Sequence, residues 1–178
     1  MKHKIITIIL ALIVLGGLAS SLNTTEPTKV GETSSKNSSS NKSTTSKTKT
    51  FKVGDVVQLK DFKITVNKVY TVSGNEFAKP KDGNEFIAVD CTVENISKEE
   101  QAVSSLIMFK VVDKDGRACE YSMTGQTAAN AGQMDGKVGV GRKMTGVYVV
   151  EVPKGTTGLE LEFDSSLLSN GQVVVTLN

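Results

Sequence analysis

Three observations predict an all-β protein, an antiparallel β-sandwich. Apolar and polar side chains alternate with period two in several separate stretches beyond residue 50. Turn residues punctuate those stretches, and no amphipathic helical pattern competes with them. About seven or eight short strands in the last 128 residues are too many for one open sheet and read as two packed layers. The first 50 residues have a different composition, so the expected order is signal or anchor helix 1–19, disordered linker 20–50 and sandwich domain 51–178.

Residues 1–19 open with Lys2 and Lys4 and continue into an apolar run, Ile5–Leu15, broken only by Thr7. Gly16-Gly17-Leu18-Ala19 then places small residues where a signal peptidase cuts, with the mature chain beginning at Ser20. The run is short against the roughly 20 residues a spanning helix needs. Ile5 to Leu22 could still cross a bilayer with tilt or local thinning. Cleavage releases the domain, and retention anchors it through residues 1–22. Between Thr33 and Thr50 there is no apolar side chain at all. Such a stretch cannot bury enough surface to offset chain entropy and is expected to serve as a disordered tether.

Within the domain, Phe62, Ile64 and Val66 alternate with Lys63, Thr65 and Asn67. Ile87, Val89, Cys91 and Val93 share one face of the next strand, with Asp90, Thr92 and Glu94 on the other. Met108–Val112 is a shorter strand, followed by the turn Asp113-Lys114-Asp115-Gly116 and a strand over Ala118–Met123. Thr145–Val152 ends at Pro153, which cannot continue a central ladder. Its register is ambiguous; Tyr148 and Val150 are expected inside and Val149 outside, because that choice keeps Glu151 in solvent. Leu159, Leu161 and Phe163 alternate with Glu160, Glu162 and Asp164, and Gln172–Leu177 supplies the last strand. Only Asp164–Ser169 could make a helical turn.

Charge and composition exclude several function classes. Residues 51–178 carry 14 basic and 17 acidic side chains, a net −3, so no basic stripe is available for nucleic acid. The single histidine is His3, inside the targeting segment, and there is no tryptophan. Without a domain histidine, Ser-His and Cys-His nucleophilic pairs and imidazole metal ligation are unavailable. No catalytic residue, no metal ligand and no cofactor site is expected, and the chain is not expected to be an enzyme.

Five motifs in order carry a resemblance: Val53–Val57, Ile64–Asn67, Gly83–Asn95, Phe109–Gly116 and Gly141–Pro153. This succession resembles the DUF4352 domain of Gram-positive secreted proteins and lipoproteins, whose fold is similar to that of the mycobacterial secreted antigen MPT63. The resemblance implies an immunoglobulin-like sandwich exposed outside the cell. It brings no catalytic or ligand residues with it. The chain departs from many relatives in having no lipid-accepting cysteine near residue 19.

Remaining candidates each have a plain structural reading beside the functional one. Cys91 and Cys119 either form a disulfide in an oxidising compartment or stay as buried thiols. Asp113-x-Asp115-Gly116 opens like a calcium loop but lacks the later ligands, so it reads as a hairpin turn. The acidic ladder Glu160, Glu162, Asp164 reads as a solvated face, and Gly136–Lys143 as an inter-strand loop. The longest irregular segments, Ser97–Ile107 and Thr124–Lys143, are where recognition of an extracellular protein or a cell-envelope component is expected.

Overall fold

The computed structural model describes residues 26–31, 49–165 and 172–178. The signal or anchor segment, most of the linker, and residues 166–169 of the expected helical turn lie outside the described residues. In chain order the elements are β1 (Thr28–Lys29), β2 (Thr50–Lys52), β3 (Val56–Leu59), β4 (Phe62–Val72), β5 (Asn84–Asn95) and β6 (Gln101–Val103). There follow α1 (Ser105–Met108), β7 (Phe109–Val112), β8 (Glu120–Tyr121), α2 (Met123–Ala129), β9 (Gly136–Val138), β10 (Lys143–Pro153), β11 (Glu160–Asp164) and β12 (Gln172–Thr176).

The strands form the expected β-sandwich. One sheet runs β1-β3-β4-β5-β10-β8, the facing sheet runs β2-β12-β11-β7, and β6 and β9 make a separate ribbon. Among the described residues every strand pairing is antiparallel except β2 with β12, which is parallel. The alternating residues read from the sequence supply the core: Phe62, Ile64 and Val66 from β4, Val89, Cys91 and Val93 from β5, Leu161 and Phe163 from β11. Phe163 stands at the centre, edge-on to Phe109 at 5.0 Å and to Phe62 at 6.0 Å. Each buried aromatic of this kind contributes roughly 1.5–3 kcal/mol by leaving water.

The strand β10 follows the expected register, with Tyr148, Val150 and Val152 in the inter-sheet core. Its other face is not exposed, however. Val147 and Val149 join Phe86, Ala88 and Val72 in a second buried cluster on the outer side of the larger sheet. Helix α2 covers that cluster. Gly125 is what lets it come so close: a Cβ there would lie 2.6 Å from Val149 Cγ1 and 2.9 Å from Phe86 Cδ1. Ser122 caps the helix by accepting the Gly125 N–H at 2.9 Å, and Asn130 ends it in the left-handed conformation. β4 feeds the same cluster through a bulge between Val66 and Lys68, which flips parity so that Tyr70 and Val72 turn outward beneath the helix.

Three expectations are corrected here. Helix forms at 105–108 and 123–129, where none was expected. The strand expected over Ala118–Met123 shrinks to Glu120–Tyr121, because Ser122 is taken as a helix cap. The linker 20–50 is not wholly outside the fold: Thr28 and Lys29 pair with Gln58 and Val57, and Thr50 opens β2. Of the two readings open for Cys91 and Cys119, the structure has the free thiols. Cys91 sits opposite Gly146, while Glu120, next to Cys119, sits opposite Glu151 five residues further along the same strand. At about 3.3 Å per residue that offset is roughly 17 Å, far beyond disulfide reach.

Candidate functional site

The two ends of the sandwich are built differently. One end holds Asn95, where β5 stops and β10 starts; the other holds Asn84 and Pro153, which face each other at the opposite limits of those strands.

The Asn95 end gathers the two long segments singled out in the sequence, but it spends them on structure. β6 and β9, one from each segment, pair Gln101 with Val138 and Val103 with Gly136. Asn95 is fully buried; its amide group donates to Glu99 O at 2.7 Å and Val138 O at 2.8 Å, and its oxygen accepts from Ser97 N–H and Oγ–H. Asp135 accepts both the N–H and the hydroxyl of buried Ser105, at 2.9 and 2.6 Å. The glycine-rich stretch from Gly136 is therefore part strand, and its following turn is fixed by Gly141 N–H donating to Asn95 O.

The Asn84–Pro153 end, which the sequence did not mark, carries an open cleft of about 520 Å³. Its walls are the β7–β8 hairpin (Asp113, Arg117, Cys119), the end of β10 (Glu151, Val152) and the turn at Thr156. Asp113 organises the hairpin. Its carboxylate accepts the Asp115 and Arg117 N–H groups, both at 2.9 Å, and Arg117 Nε at 3.0 Å. The backbone bond from Arg117 is the largest of the causes that hold this carboxyl below its ordinary range. A turn, not a calcium loop, uses these acids, and among the described residues no cluster of His, Cys, Asp or Glu could hold a metal. Glu151 is fastened too, accepting from Asn84 Nδ2 and Lys81 N–H at 2.9 Å, and the Asn84 bond leads the causes that hold its carboxyl low.

Cys119 lies half-buried in the cleft wall. Burial first, and the Asp113 charge second, push its thiol up, the reverse of what a nucleophilic cysteine requires. Cys91 is pushed up further, chiefly by burial in the core. The acidic ladder of β11 sits on the outer face of the smaller sheet, where Glu162 pairs with Lys110.

Beside the cleft stands the β4–β5 loop, joined to it by the Lys81 backbone bond to Glu151 and by Lys81 Nζ to Glu120 at 3.3 Å. This loop is closed on itself. Asn75 Oδ1 accepts the N–H groups of Phe77 at 2.9 Å and Ala78 at 2.8 Å, and Asn75 N–H donates to Ala78 O at 2.9 Å. Ala78 is buried, and at Gly74 a Cβ would lie 2.7 Å from Ala78 O, so a larger residue does not fit without a shift. At the tip, Phe77 is 96% exposed.

Residues 51–174 match the family described as Domain of unknown function (DUF4352). This chain belongs to that family. The uncharacterized protein YxkC of Bacillus subtilis is 31% identical over 116 residues, which are 60% of this chain and 64% of that protein, just under two thirds of its length. The DUF4352 chain is similar in fold to the yjhA protein of Bacillus subtilis, with a TM-score of 0.57 at 19% identity over 72% of this chain and 99% of that one. It is also similar to ycdA of Bacillus subtilis, provisionally described as a lipoprotein, with a TM-score of 0.53 at 15% identity over 64% of this chain and 35% of that one.

Proposed function

We propose that this DUF4352 chain is an exported, non-catalytic binding module that holds an extracellular protein or envelope component at its Asn84–Pro153 end. The observation that carries the reading is Phe77. A lone exposed apolar side chain is ordinary on any protein surface. A fully exposed phenylalanine on a loop pinned by Asn75, buried Ala78 and Gly74 is different, because the loop's order is already in place before any ligand arrives. Pre-ordered aromatic anchors are what interfaces use to gain affinity cheaply in entropy. The adjoining cleft offers charged walls of both signs, Arg117 and Glu120 among them, for orienting such a ligand.

Export is supported by the positive start and short apolar run of residues 1–19, and by the likeness to a chain described as a lipoprotein. The non-catalytic reading is supported by raised thiols and by cleft carboxylates engaged with their own loops. The test is capture of surface-exposed partners from intact cells by the full chain, its Phe77→Ser variant, and a Leu106→Ser variant in the 97–107 segment. Capture lost with Phe77→Ser and kept with Leu106→Ser is the expected result. The reverse pattern would return recognition to the Asn95 end and sink this assignment.

A further inference from the structure

The larger sheet ends, beyond β3, on a strand that is barely a strand. β1 is two residues long, and what joins it to the domain chain is the stretch from Val30 to Lys49. It pairs Thr28 with Gln58 and Lys29 with Val57, and Val30 N–H donates to Val56 O at 2.8 Å. Lys29 Nζ meets Asp55 Oδ1 at 2.7 Å, while the other oxygen of Asp55 accepts the Lys52 N–H at 3.1 Å. No residue of 26–31 enters either buried cluster, and Val30 remains 45% exposed.

We propose that the outer edge of β3, with Asp55 at its foot, is a strand-addition site for an extended polypeptide carrying a lysine or arginine, and that the chain's own residues 28–30 fill it in the absence of such a partner. Main-chain bonds, open to any extended segment, join residues 28–30 to β3, and the Lys29–Asp55 contact selects a basic side chain. Main-chain bonds to a sheet edge give affinity while side-chain contacts give specificity, which is how strand-adding recognition domains work. An unpaired edge would otherwise be an aggregation hazard, and a short self-strand with little buried surface guards it while staying displaceable. The net −3 of residues 51–178 adds a general attraction for basic segments. The tethered self-segment competes at an effective concentration on the order of millimolar, so a partner gains access when it is itself held close by or when the strap is weakened.

The experiment uses the full chain and its Lys29→Glu variant, which keeps the buried core intact. The probe is a synthetic peptide of residues 26–31, with a second peptide bearing glutamate in place of its lysine. Binding is followed through backbone amide shifts in a nuclear magnetic resonance titration, and thermal unfolding confirms that both proteins are folded. The lysine peptide should shift the amides of Val56–Leu59 in the Lys29→Glu chain. It should bind the unaltered chain several-fold more weakly, and the glutamate peptide should bind either chain more weakly still. Shifts that fall elsewhere, equal binding of the two peptides, or no shift in a folded Lys29→Glu chain would each overturn the proposal. None of these outcomes bears on Phe77, so the two readings fail separately.

Discussion

Val149 and Val150 are adjacent, point to opposite faces of β10, and are both fully buried. Val150 meets the inter-sheet core, and Val149 meets Phe86 and the α2 backbone at Gly125. Alternation alone gives the direction of each side chain but not what covers it, so the sequence reading that left Val149 outside was right in register and wrong in burial. The missing information sits in Met123–Ala129, whose glycine and two threonines give no helical period to read. Truncating either valine removes two methyl groups from a packed site, a loss of about 2 kcal/mol. Val149→Ala and Val150→Ala should therefore lower the chemical-denaturation midpoint by similar amounts. A Val149 variant as stable as the unaltered chain would mean that α2 does not sit on the sheet. The residues that were legible, Phe62, Val93, Leu161 and Phe163 among them, are those whose neighbours in the strand are polar.

At the scale of elements, the β7–β8 hairpin shows what short-range order costs and what it depends on. It leaves the smaller sheet at Val112 and delivers β8 to the larger one, so one turn ties both layers together. Its sequence, Asp113-Lys114-Asp115-Gly116, was readable because each residue has a local task. Gly116 takes positive φ, and Asp113 satisfies the inward N–H groups. The Asp113 carboxyl is depressed, so its stabilising contribution is complete above the ordinary aspartate pKa of about 3.9 and is lost as pH falls through the lowered folded value. Acidification toward pH 3 should lower the hydrogen-exchange protection factors of the Asp115 and Arg117 amides before those of the core strands. Unchanged protection ratios across that range would show that the hairpin is held by something other than this carboxylate. β1 was not legible: it lies in a polar stretch with no alternation, and its place comes from the edge of β3 and from Asp55.

For the whole molecule, the sandwich itself was readable because most of its strands bury one face, and period two survives wherever that holds. The cleft was not. It arises from three segments, 113–120, 151–153 and 156–157, that are separated in sequence and short enough to look like mere connections. The long segments looked more promising and were consumed by the Asn95 hub, the β6–β9 ribbon and α2. Compartment is a property of the entire chain as well. Cell fractionation should recover it from the medium or the outer membrane face, with an N-terminus at Ser20 if residues 1–19 are removed and at Met1 if they are kept. Confinement to the cytosol would defeat the export reading.

The parallel pairing of β2 with β12 has a mechanical consequence. β2 and β12 run the same way, from the Asn95 end toward the end where Thr176 faces Glu160 and the cleft opens. Lys49, just before β2, thus lies on the side opposite Phe77. If Lys49 is held while a pull is applied at Phe77, the load runs along the strands. The Thr50–Val174, Phe51–Val175 and Lys52–Thr176 rungs are then strained together in shear, where a pull across the sheet would peel them one after another. A domain threaded this way resists tension applied along its strands.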